Sequence, residues 1–195
     1  MIDYSMLFFV DCEASSLNDD SFPIEIAWVD QTGRGESHLI CPPAYWRDWS
    51  AQAEQLHGIS YAMLQARGEP VTLVADRVIE VCKGQTLVSD NPTWDEQWIG
   101  RLLATVAHDP LPFVSLDSIM MKEIQRLQQS NTALFDTPEY HRQARQLLDD
   151  GQTIVGAAVY NAVSQAGRRH RALPDAETLY RSWRLTKDQI DHLID

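Results

Sequence analysis

Short apolar runs separated by polar loops occupy the first part of the chain. Residues 6–10 are continuously apolar, and residues 23–29 are apolar except for Glu25. Residues 36–41 are a short mixed segment, Glu-Ser-His-Leu-Ile-Cys, which follows a turn rich in glycine and is closed by Pro42 and Pro43. Apolar runs of this length between turn residues predict two buried strands, and residues 36–41 are predicted to form a third short strand. The short connections between the three predict an antiparallel meander.

From Pro70 onward, apolar residues recur at helical spacing. The first such segment has one apolar face, formed by Val71, Val74, Val78 and Cys82. It ends at Lys83-Gly84, a basic last turn followed by a glycine that can cap a helix. The same reasoning predicts strands at residues 85–89 and 112–116 and a helix at residues 92–107. Further helices are predicted at residues 118–129, 138–149 (ended by Asp150-Gly151), 153–165 and 172–184, with a short turn after the last.

The order of these elements predicts the class of fold. Strands come first, strands and helices then alternate, and only helices follow. That order predicts an α/β architecture in which helices pack on a mixed sheet. No stretch rich in Gly, Ser or Pro divides the chain, so residues 1–195 are expected to form one domain.

Acidic residues outnumber basic ones, with 28 Asp and Glu against 16 Lys and Arg, a formal net charge of −12 and an isoelectric point near 4.8. Affinity for nucleic acids is usually dominated by Lys and Arg that neutralise phosphates. The charge therefore excludes a basic protein that coats duplexes. A polyanion must be bound locally, through metal ions, or not at all.

The cysteines and the apolar runs indicate a compartment. Cys12, Cys41 and Cys82 are far apart and form no Cys-x-x-Cys pair, which predicts buried thiols in a reducing compartment and argues against a zinc site. The first apolar run has no basic residues before it and is broken by Asp11, unlike a signal peptide. No apolar stretch approaches the roughly 20 residues that span a bilayer. We expect a cytoplasmic protein without membrane contacts.

Asp11 and Glu13 lie two residues apart at the end of the first predicted strand. The period of a strand points both carboxylates to one face and Cys12 to the other. The two carboxylates repel each other, and Mg²⁺ or Mn²⁺ prefers oxygen ligands of this kind. An acid pair that simply faces water would give the same sequence, so both interpretations stand at this point.

Asp95 and Asp175 each lie near the start of a predicted helix, on its apolar face. A buried carboxylate without a partner is costly, so a cation is expected near each one. His170 lies shortly before Asp175, where its imidazole could reach a water molecule beside the acids. Stabilisation of the helix start by the acids, and a structural or solvated histidine, are the alternatives.

Four segments together suggest a family. They are Phe-Phe-Val-Asp-Cys-Glu-Ala-Ser-Ser-Leu at residues 8–17, His-Gly-Ile-Ser at 57–60, Leu-Val-Ser-Asp-Asn-Pro-Thr-Trp-Asp at 87–95 and His-Arg-Ala-Leu-Pro-Asp-Ala at 170–176. In content and order these segments resemble the motifs of the DnaQ-like 3′→5′ exonucleases of the DEDD superfamily, in the branch that uses histidine. Asp90 stands where many relatives have His, and Trp94 stands where Phe is usual. Neither position is an expected metal ligand.

The resemblance implies a single ribonuclease H-like domain. Its mixed five-stranded sheet would have three antiparallel strands followed by parallel ones, with helices on both sides. It also implies two divalent ions, Mg²⁺ or Mn²⁺, and His170 as the general base. The metal ligands it implies are Asp11, Glu13, Asp95 and Asp175.

The implied reaction is hydrolysis of phosphodiester bonds at the 3′ end of single-stranded DNA or RNA, or of short oligonucleotides, with release of nucleoside 5′-monophosphates. The implied substrate contacts are Ala14, Leu17, His57 and Ile59. Ordinary loop packing is the alternative for Leu17 and Ile59. Three arginines beside the third acidic motif could draw a phosphate backbone toward the acids or could line a solvated helix start: Arg168, Arg169 and Arg171.

Two tryptophans, Trp46 and Trp49, are the only ones that the pattern leaves as candidates for an exposed base-stacking surface, and a packed cap explains them equally well.

Two other functions compete with the exonuclease. One is a catalytically silent DnaQ-fold module that binds nucleic acid or acts as an adaptor, and the other is a metal-dependent phosphatase for small phosphate esters. The sequence leaves a homodimer open.

Overall fold

The structure is a computed structural model that describes residues 6–130, 138–166 and 170–194. Six strands form one sheet in this part of the chain, in the order β4-β3-β2-β1-β5-β6. The strands are β1 (Leu7–Ala14), β2 (Pro23–Asp30), β3 (Gly35–Cys41), β4 (Glu69–Pro70), β5 (Thr86–Ser89) and β6 (Phe113–Ser115). The helices are α1 (Ala51–His57), α2 (Tyr61–Arg67), α3 (Val71–Cys82), α4 (Pro92–Ala104), α5 (Leu116–Ser130), α6 (Pro138–Ser164) and α7 (Ala172–Ile194).

The sheet confirms the predicted meander and corrects the number of strands. β1, β2 and β3 pair antiparallel, and β5 and β6 continue the sheet in parallel with β1. The additional strand is β4, whose two residues pair with Ile40 and Cys41 at the edge of the sheet. A two-residue strand that ends in proline has no detectable period and is tolerated only at an edge, which is why the sequence predicts five strands.

Two short helices, α1 and α2, were not predicted. Each begins at a serine whose hydroxyl caps the helix: Ser50 accepts a hydrogen bond from the N–H of Ala53, and Ser60 accepts one from the N–H of Met63. Each helix has seven residues, too few to give a helical period in the sequence.

Two helix ends differ from prediction. α6 continues through Asp150-Gly151. Gly151 allows α6 to pack closely on α5, because a Cβ at this position would lie only 2.8 Å from Ile124. This glycine marks a close helix contact and not a helix end. α7 continues ten residues beyond Arg184, whose guanidinium pairs with Asp188 one turn later.

The two faces of β1 pack against different helices. Phe8, Val10 and Cys12 join a core with residues of α3 and α4, whereas Leu7 and Phe9 pack against residues of α5 and α7. All three cysteines are free thiols; Cys12 and Cys82 are buried and Cys41 is half-buried. None of the described helices has the length and apolar character that a membrane crossing requires.

Candidate active site

Asp11 and Glu13 project from β1 toward α7. Because Leu7 and Phe9 contact α7, the strand period puts the next alternate residues, Asp11 and Glu13, on the same face. β1 pairs with β5 only from Leu7 to Phe9, so the two acids lie beyond the paired part of these parallel strands. Open α/β sheets bind ligands at this end of their strands.

Asp175 and His170 belong to the start of α7. The Oδ2 atom of Asp175 accepts hydrogen bonds from the backbone N–H groups of His170 at 2.8 Å and of Arg171 at 3.3 Å. His170 has a φ of +60°, in the left-handed region that residues other than glycine seldom adopt. The Asp175 carboxylate therefore holds His170 in an uncommon conformation beside the helix start.

Three of the four predicted acids come together. Oxygen atoms of Asp11, Glu13 and Asp175 lie within 4.8 Å of one another. The three acids and His170 line a cleft of about 440 Å³, which is called the acidic cleft below. Its remaining wall is formed in part by Asp90, Asp117, Val159 and Val163.

Asp95, the fourth predicted acid, does not line the acidic cleft. It is 3 % exposed in the first turn of α4 and accepts a hydrogen bond from the hydroxyl of Ser89. Among the neighbouring carboxylates that raise the pKa of Asp11, Asp95 has the largest effect. Asp95 therefore acts on the acidic cleft electrostatically while its oxygen atoms remain outside the three-acid group.

Burial and mutual repulsion dominate the electrostatics of the cleft. Burial, reinforced by the charges of Asp95 and Glu13, raises the pKa of Asp11 well above its ordinary value. Burial raises the pKa of Glu13 to about 8, with further contributions from neighbouring acids, and burial raises that of Asp95 to about 7. The cluster therefore holds more negative charge than the surrounding protein neutralises.

This donor set fits a divalent cation. Mg²⁺ and Mn²⁺ prefer oxygen ligands, and three carboxylates from β1 and α7 offer them within one small volume. A cation among them would favour the ionised form of each acid, which burial and repulsion otherwise disfavour. The chemistry of the residues thus agrees with the metal site that the sequence predicts.

A second cleft of about 390 Å³ adjoins the first and shares Cys12 and Glu13 with it. Three predicted substrate contacts line it: Ala14, Leu17 and His57. This second cleft is called the terminal cleft below. Leu17 is 71 % exposed, so its side chain is free to contact a ligand.

Asp48 fixes the loop that carries Leu17 through side-chain hydrogen bonds. The carboxylate of Asp48 accepts hydrogen bonds from the hydroxyl groups of Ser15 at 3.1 Å and of Ser16, and from the Asn18 amide at 2.9 Å. Burial alone would raise the pKa of Asp48, but these hydrogen bonds outweigh it and the pKa is lowered. Leu17 therefore projects from a rigid loop.

Two predicted substrate contacts have other surroundings. Ile59 is fully buried in the core and does not line either cleft. Arg171, predicted to contact phosphate, forms a bidentate ion pair with Glu25 instead. The structure therefore gives Ile59 a packing role and Arg171 a structural partner.

The other basic residues of this region give little support to an arginine-rich edge. Arg168 and Arg169 lie outside the described residues. Three further basic side chains of α7 pair with acids one turn away: Arg181 with Glu177, Arg184 with Asp188 and Lys187 with Asp191. Trp46, a candidate stacking residue, is buried against Phe22, and Trp49 is half-buried.

The sequence does not predict three residues that organise the site. Ser89 donates a hydrogen bond to Asp95, and Asp48 fixes the Leu17 loop. The third residue, Glu25, pairs with Arg171. Only Glu25 had a signal in the sequence, since it interrupts an otherwise apolar strand. A charged residue in a buried strand requires a partner. That partner is 146 residues away in the chain, beyond the reach of a local pattern.

Comparison with known proteins gives one family. The sequence profile of the exonuclease family RNase_T matches residues 8–182. No curated protein sequence matches the chain significantly.

Solved structures of exonuclease I share the fold. Escherichia coli exonuclease I with a dA16 oligonucleotide has a TM-score of 0.66 and 15% identity, over 98% of this chain and 42% of that one. The zinc-bound E. coli exonuclease I–ssDNA complex gives 0.65 and 13%, over 98% and 42%. Exonuclease I from Methylocaldum szegediense gives 0.63 and 15%, over 97% and 42%. At this identity the likeness shows the fold alone, and the chain spans about two fifths of these structures.

Proposed function

Because the chain belongs to the RNase_T exonuclease family, we propose that it removes nucleotides one at a time from the 3′ end of single-stranded DNA or RNA and releases nucleoside 5′-monophosphates. The observation that carries this proposal is the meeting of Asp11, Glu13 and Asp175 in one cleft with His170. Exonuclease I of E. coli has been solved with single-stranded DNA, which favours the same class of substrate here.

The proposed metal ligands are the acids of the cleft. Asp11, Glu13 and Asp175 would hold one Mg²⁺ or Mn²⁺ ion, and Asp95 would support a second ion beside Asp11. When bound, such ions neutralise charge that develops on the phosphate and on the attacking and leaving oxygens. Two divalent ions would balance the formal charge of the four carboxylates, which favours this loading over a single ion.

His170 is the proposed general base, as in the histidine branch of the DEDD superfamily. Imidazole is the side chain best suited to accept a proton near neutral pH. His170 lines the same cleft as the acids, so it can take the proton of a water molecule that attacks the scissile phosphate there. The hydrogen bond from its backbone N–H to Asp175 keeps it at the rim of the metal site.

The terminal cleft is the proposed site of the 3′-terminal nucleotide. It shares Glu13 with the acidic cleft, so a nucleotide there has its phosphate near the acids. The Nδ1 atom of His57 accepts a hydrogen bond from the N–H of Ile59 at 3.0 Å, and burial lowers the pKa of His57. The neutral ring therefore carries its hydrogen on Nε2, which is buried and has no partner among the described residues.

We further propose that residues 1–195 act as one exonuclease domain in the cytoplasm. All six described strands belong to one sheet, and the three cysteines are free thiols, which agrees with a reducing compartment.

A direct test uses single-stranded DNA and RNA oligonucleotides labelled at the 5′ end. With Mg²⁺ or Mn²⁺ the protein should produce a ladder of products shortened from the 3′ end, and a chelator should abolish the ladder. Chromatography should identify nucleoside 5′-monophosphates as the released products. An oligonucleotide with phosphorothioate linkages at its 3′ end should resist hydrolysis, whereas the same linkages at the 5′ end should have no effect on the first cleavages.

The control protein is the Asp11→Asn variant, which keeps the shape of the side chain and removes the negative charge of a proposed metal ligand. It should be inactive on every substrate. Binding of oligonucleotides without hydrolysis by the native protein, with either metal, would favour the silent binding module. Hydrolysis of small phosphate esters alone would favour the phosphatase.

A further inference from the structure

Glu25 is a buried acid in β2 that bonds the start of α7. Its carboxylate accepts hydrogen bonds from Nε of Arg171 at 2.8 Å, from a second guanidinium nitrogen of Arg171, and from the backbone N–H of Ala172 at 3.0 Å. A bidentate arginine–carboxylate pair fixes the relative orientation of two planar groups. Two segments 146 residues apart in the chain are thereby joined rigidly.

The same segment carries two proposed members of the catalytic machinery. The backbone N–H of Arg171 bonds the carboxylate of Asp175, while its side chain bonds Glu25. The preceding residue, His170, bonds Asp175 in the same way and has the uncommon φ of +60°. Arg171 therefore connects a proposed metal ligand and a proposed general base to the buried interior of the sheet.

We propose that the Glu25–Arg171 ion pair positions His170 and Asp175 over the carboxylates of β1. This inference rests on the proposed function. Neither Glu25 nor Arg171 lines the acidic cleft, so both are positioning residues that act through their neighbours. Small displacements of a catalytic group reduce the rate strongly even when the substrate still binds, which is the kinetic behaviour expected of such a pair.

The location of the pair supports this role. Glu25 pairs directly with Glu13 across β1 and β2, so the anchor of α7 is next to a proposed metal ligand. At this point Arg171 is the cationic side chain that pairs with Glu25. Arg171 therefore neutralises Glu25 at a point where a further negative charge would disturb the metal site.

The chain contains a matched control pair. Arg77 of α3 donates from Nε and from a second guanidinium nitrogen to the two carboxylate oxygens of Glu36 on β3, both at 2.8 Å. Glu36 lines neither cleft. The Glu36 side chain is 33 % exposed and that of Glu25 is 4 % exposed, so loss of Glu25 is expected to destabilise the fold more. Activities should therefore be compared well below the melting temperatures of both variants.

The test compares the full-length native chain with Glu25→Gln, Arg171→Lys and Glu36→Gln. For Glu25→Gln we expect kcat on a single-stranded oligonucleotide to fall by about 10- to 100-fold, with KM changed by less than about twofold. Hydrogen exchange at the backbone amides of His170 and Arg171 should become at least about tenfold faster. Glu36→Gln should leave all three quantities within about twofold of the native values. Arg171→Lys keeps the charge and loses the bidentate geometry, so it provides an intermediate case if Glu25→Gln does not fold.

A double-mutant cycle separates positioning from general destabilisation. If Glu25 acts through His170, then Glu25→Gln should lower kcat by less than about threefold in a His170→Gln background. Effects that multiply would overturn the positioning of His170, and equal losses of kcat in Glu25→Gln and Glu36→Gln would overturn the inference as a whole. Unchanged amide exchange in Glu25→Gln would overturn it without any activity measurement. Faster exchange in Glu25→Gln with an inactive native protein would support the attachment of the segment and reject the proposed function.

Discussion

Carboxylates in two regions of the molecule have opposite pKa shifts. In the acidic cleft, burial and neighbouring acids raise the pKa of Asp11 well above its ordinary value and that of Glu13 to about 8. On the outer surface, hydrogen bonds from Arg77 lower the pKa of Glu36, and Lys187 and Arg126 lower that of Asp191. The first region lacks sufficient positive charge, whereas the second supplies it from side chains.

The difference shows which acids contribute to the stability of the fold. A paired surface acid contributes between zero and about 1 kcal/mol. An acid held ionised in the cleft destabilises the folded protein until a cation arrives, and a metal that binds only the folded state then stabilises it. The proposed metal binding at the cleft therefore comes at the expense of stability, and the two regions should respond in opposite ways to loss of a charge.

The largest effect is expected for Asp11→Asn. Because Asp11 is a proposed ligand of one ion and lies beside the proposed site of the second, the variant should lose about 10³-fold or more in kcat. In the presence of a chelator it should nevertheless be more stable than the native protein by about 1–2 kcal/mol, since a buried, repelled charge is removed. Urea unfolding and the oligonucleotide assay measure the two quantities.

The matched control is Asp191→Asn. Asp191 is paired with Lys187 and with Arg126 away from both clefts. The control should lose up to about 1 kcal/mol of stability and keep its activity. If Asp11→Asn is the less stable of the two variants in chelator, the contrast between the two regions does not hold.

His170→Gln should lower kcat by about 10²–10⁴-fold, the usual contribution of a general base. The concentration of Mg²⁺ that gives half-maximal activity should change little, because His170 is not among the proposed metal ligands. His192, an exposed histidine near the end of α7, provides the control His192→Gln, which should behave as native. A native rate in His170→Gln would remove it as the base.

Local periodicity accounts for what the sequence could predict. The strand period at Asp11 and Glu13 places both acids on one face, and the helical phase of Asp95 points it inward, where it is buried. These inferences need only the next few residues. The two acids lie beyond the part of β1 that pairs with β5. That register depends on two parallel strands far apart in the chain, so local periodicity does not predict it.

Long-range contacts explain the errors. The sequence predicts a helix end at Gly151, because the contact with Ile124 that requires a glycine comes from another helix. For Arg171 the sequence predicts a phosphate contact and gives no sign of the ion pair with Glu25, which is 146 residues away. A side chain's partner decides its role, and composition near the residue does not identify a distant partner.

Stability in chelator should fall as the pH rises from about 5 to about 8. The folded-state pKa values of Glu13 and Asp95, about 8 and about 7, exceed their ordinary values of 4.5 and 3.8. In that window the folded protein binds more protons than the unfolded chain, so the free energy of unfolding decreases with pH, by about 1–3 kcal/mol in total. Saturating Mg²⁺ should remove most of the decrease. Urea unfolding at several pH values measures it.

Glu13→Gln should flatten this pH dependence, because the variant has one fewer group with a raised pKa. Glu36→Gln should leave the slope in the window unchanged, because the pKa of Glu36 is lowered and its contribution to stability is lost only at more acidic pH. A native protein whose stability in chelator rises between about pH 5 and pH 8 would contradict the charge imbalance in the cleft.

The smallest effect is expected for Leu17→Ala. This variant tests whether an apolar residue at the terminal cleft, like the acids, has a role that a similar residue on the outer surface does not have. Leu17 and Leu73 are exposed to similar degrees, 71 % and 58 %, but only Leu17 borders the cleft next to Glu13. Loss of its contact with a terminal base should raise KM by about three- to tenfold, the equivalent of about 1 kcal/mol, with kcat nearly unchanged. Leu73→Ala should leave both constants at their native values. Equal KM values for the two variants would show that the Leu17 loop does not contact the substrate.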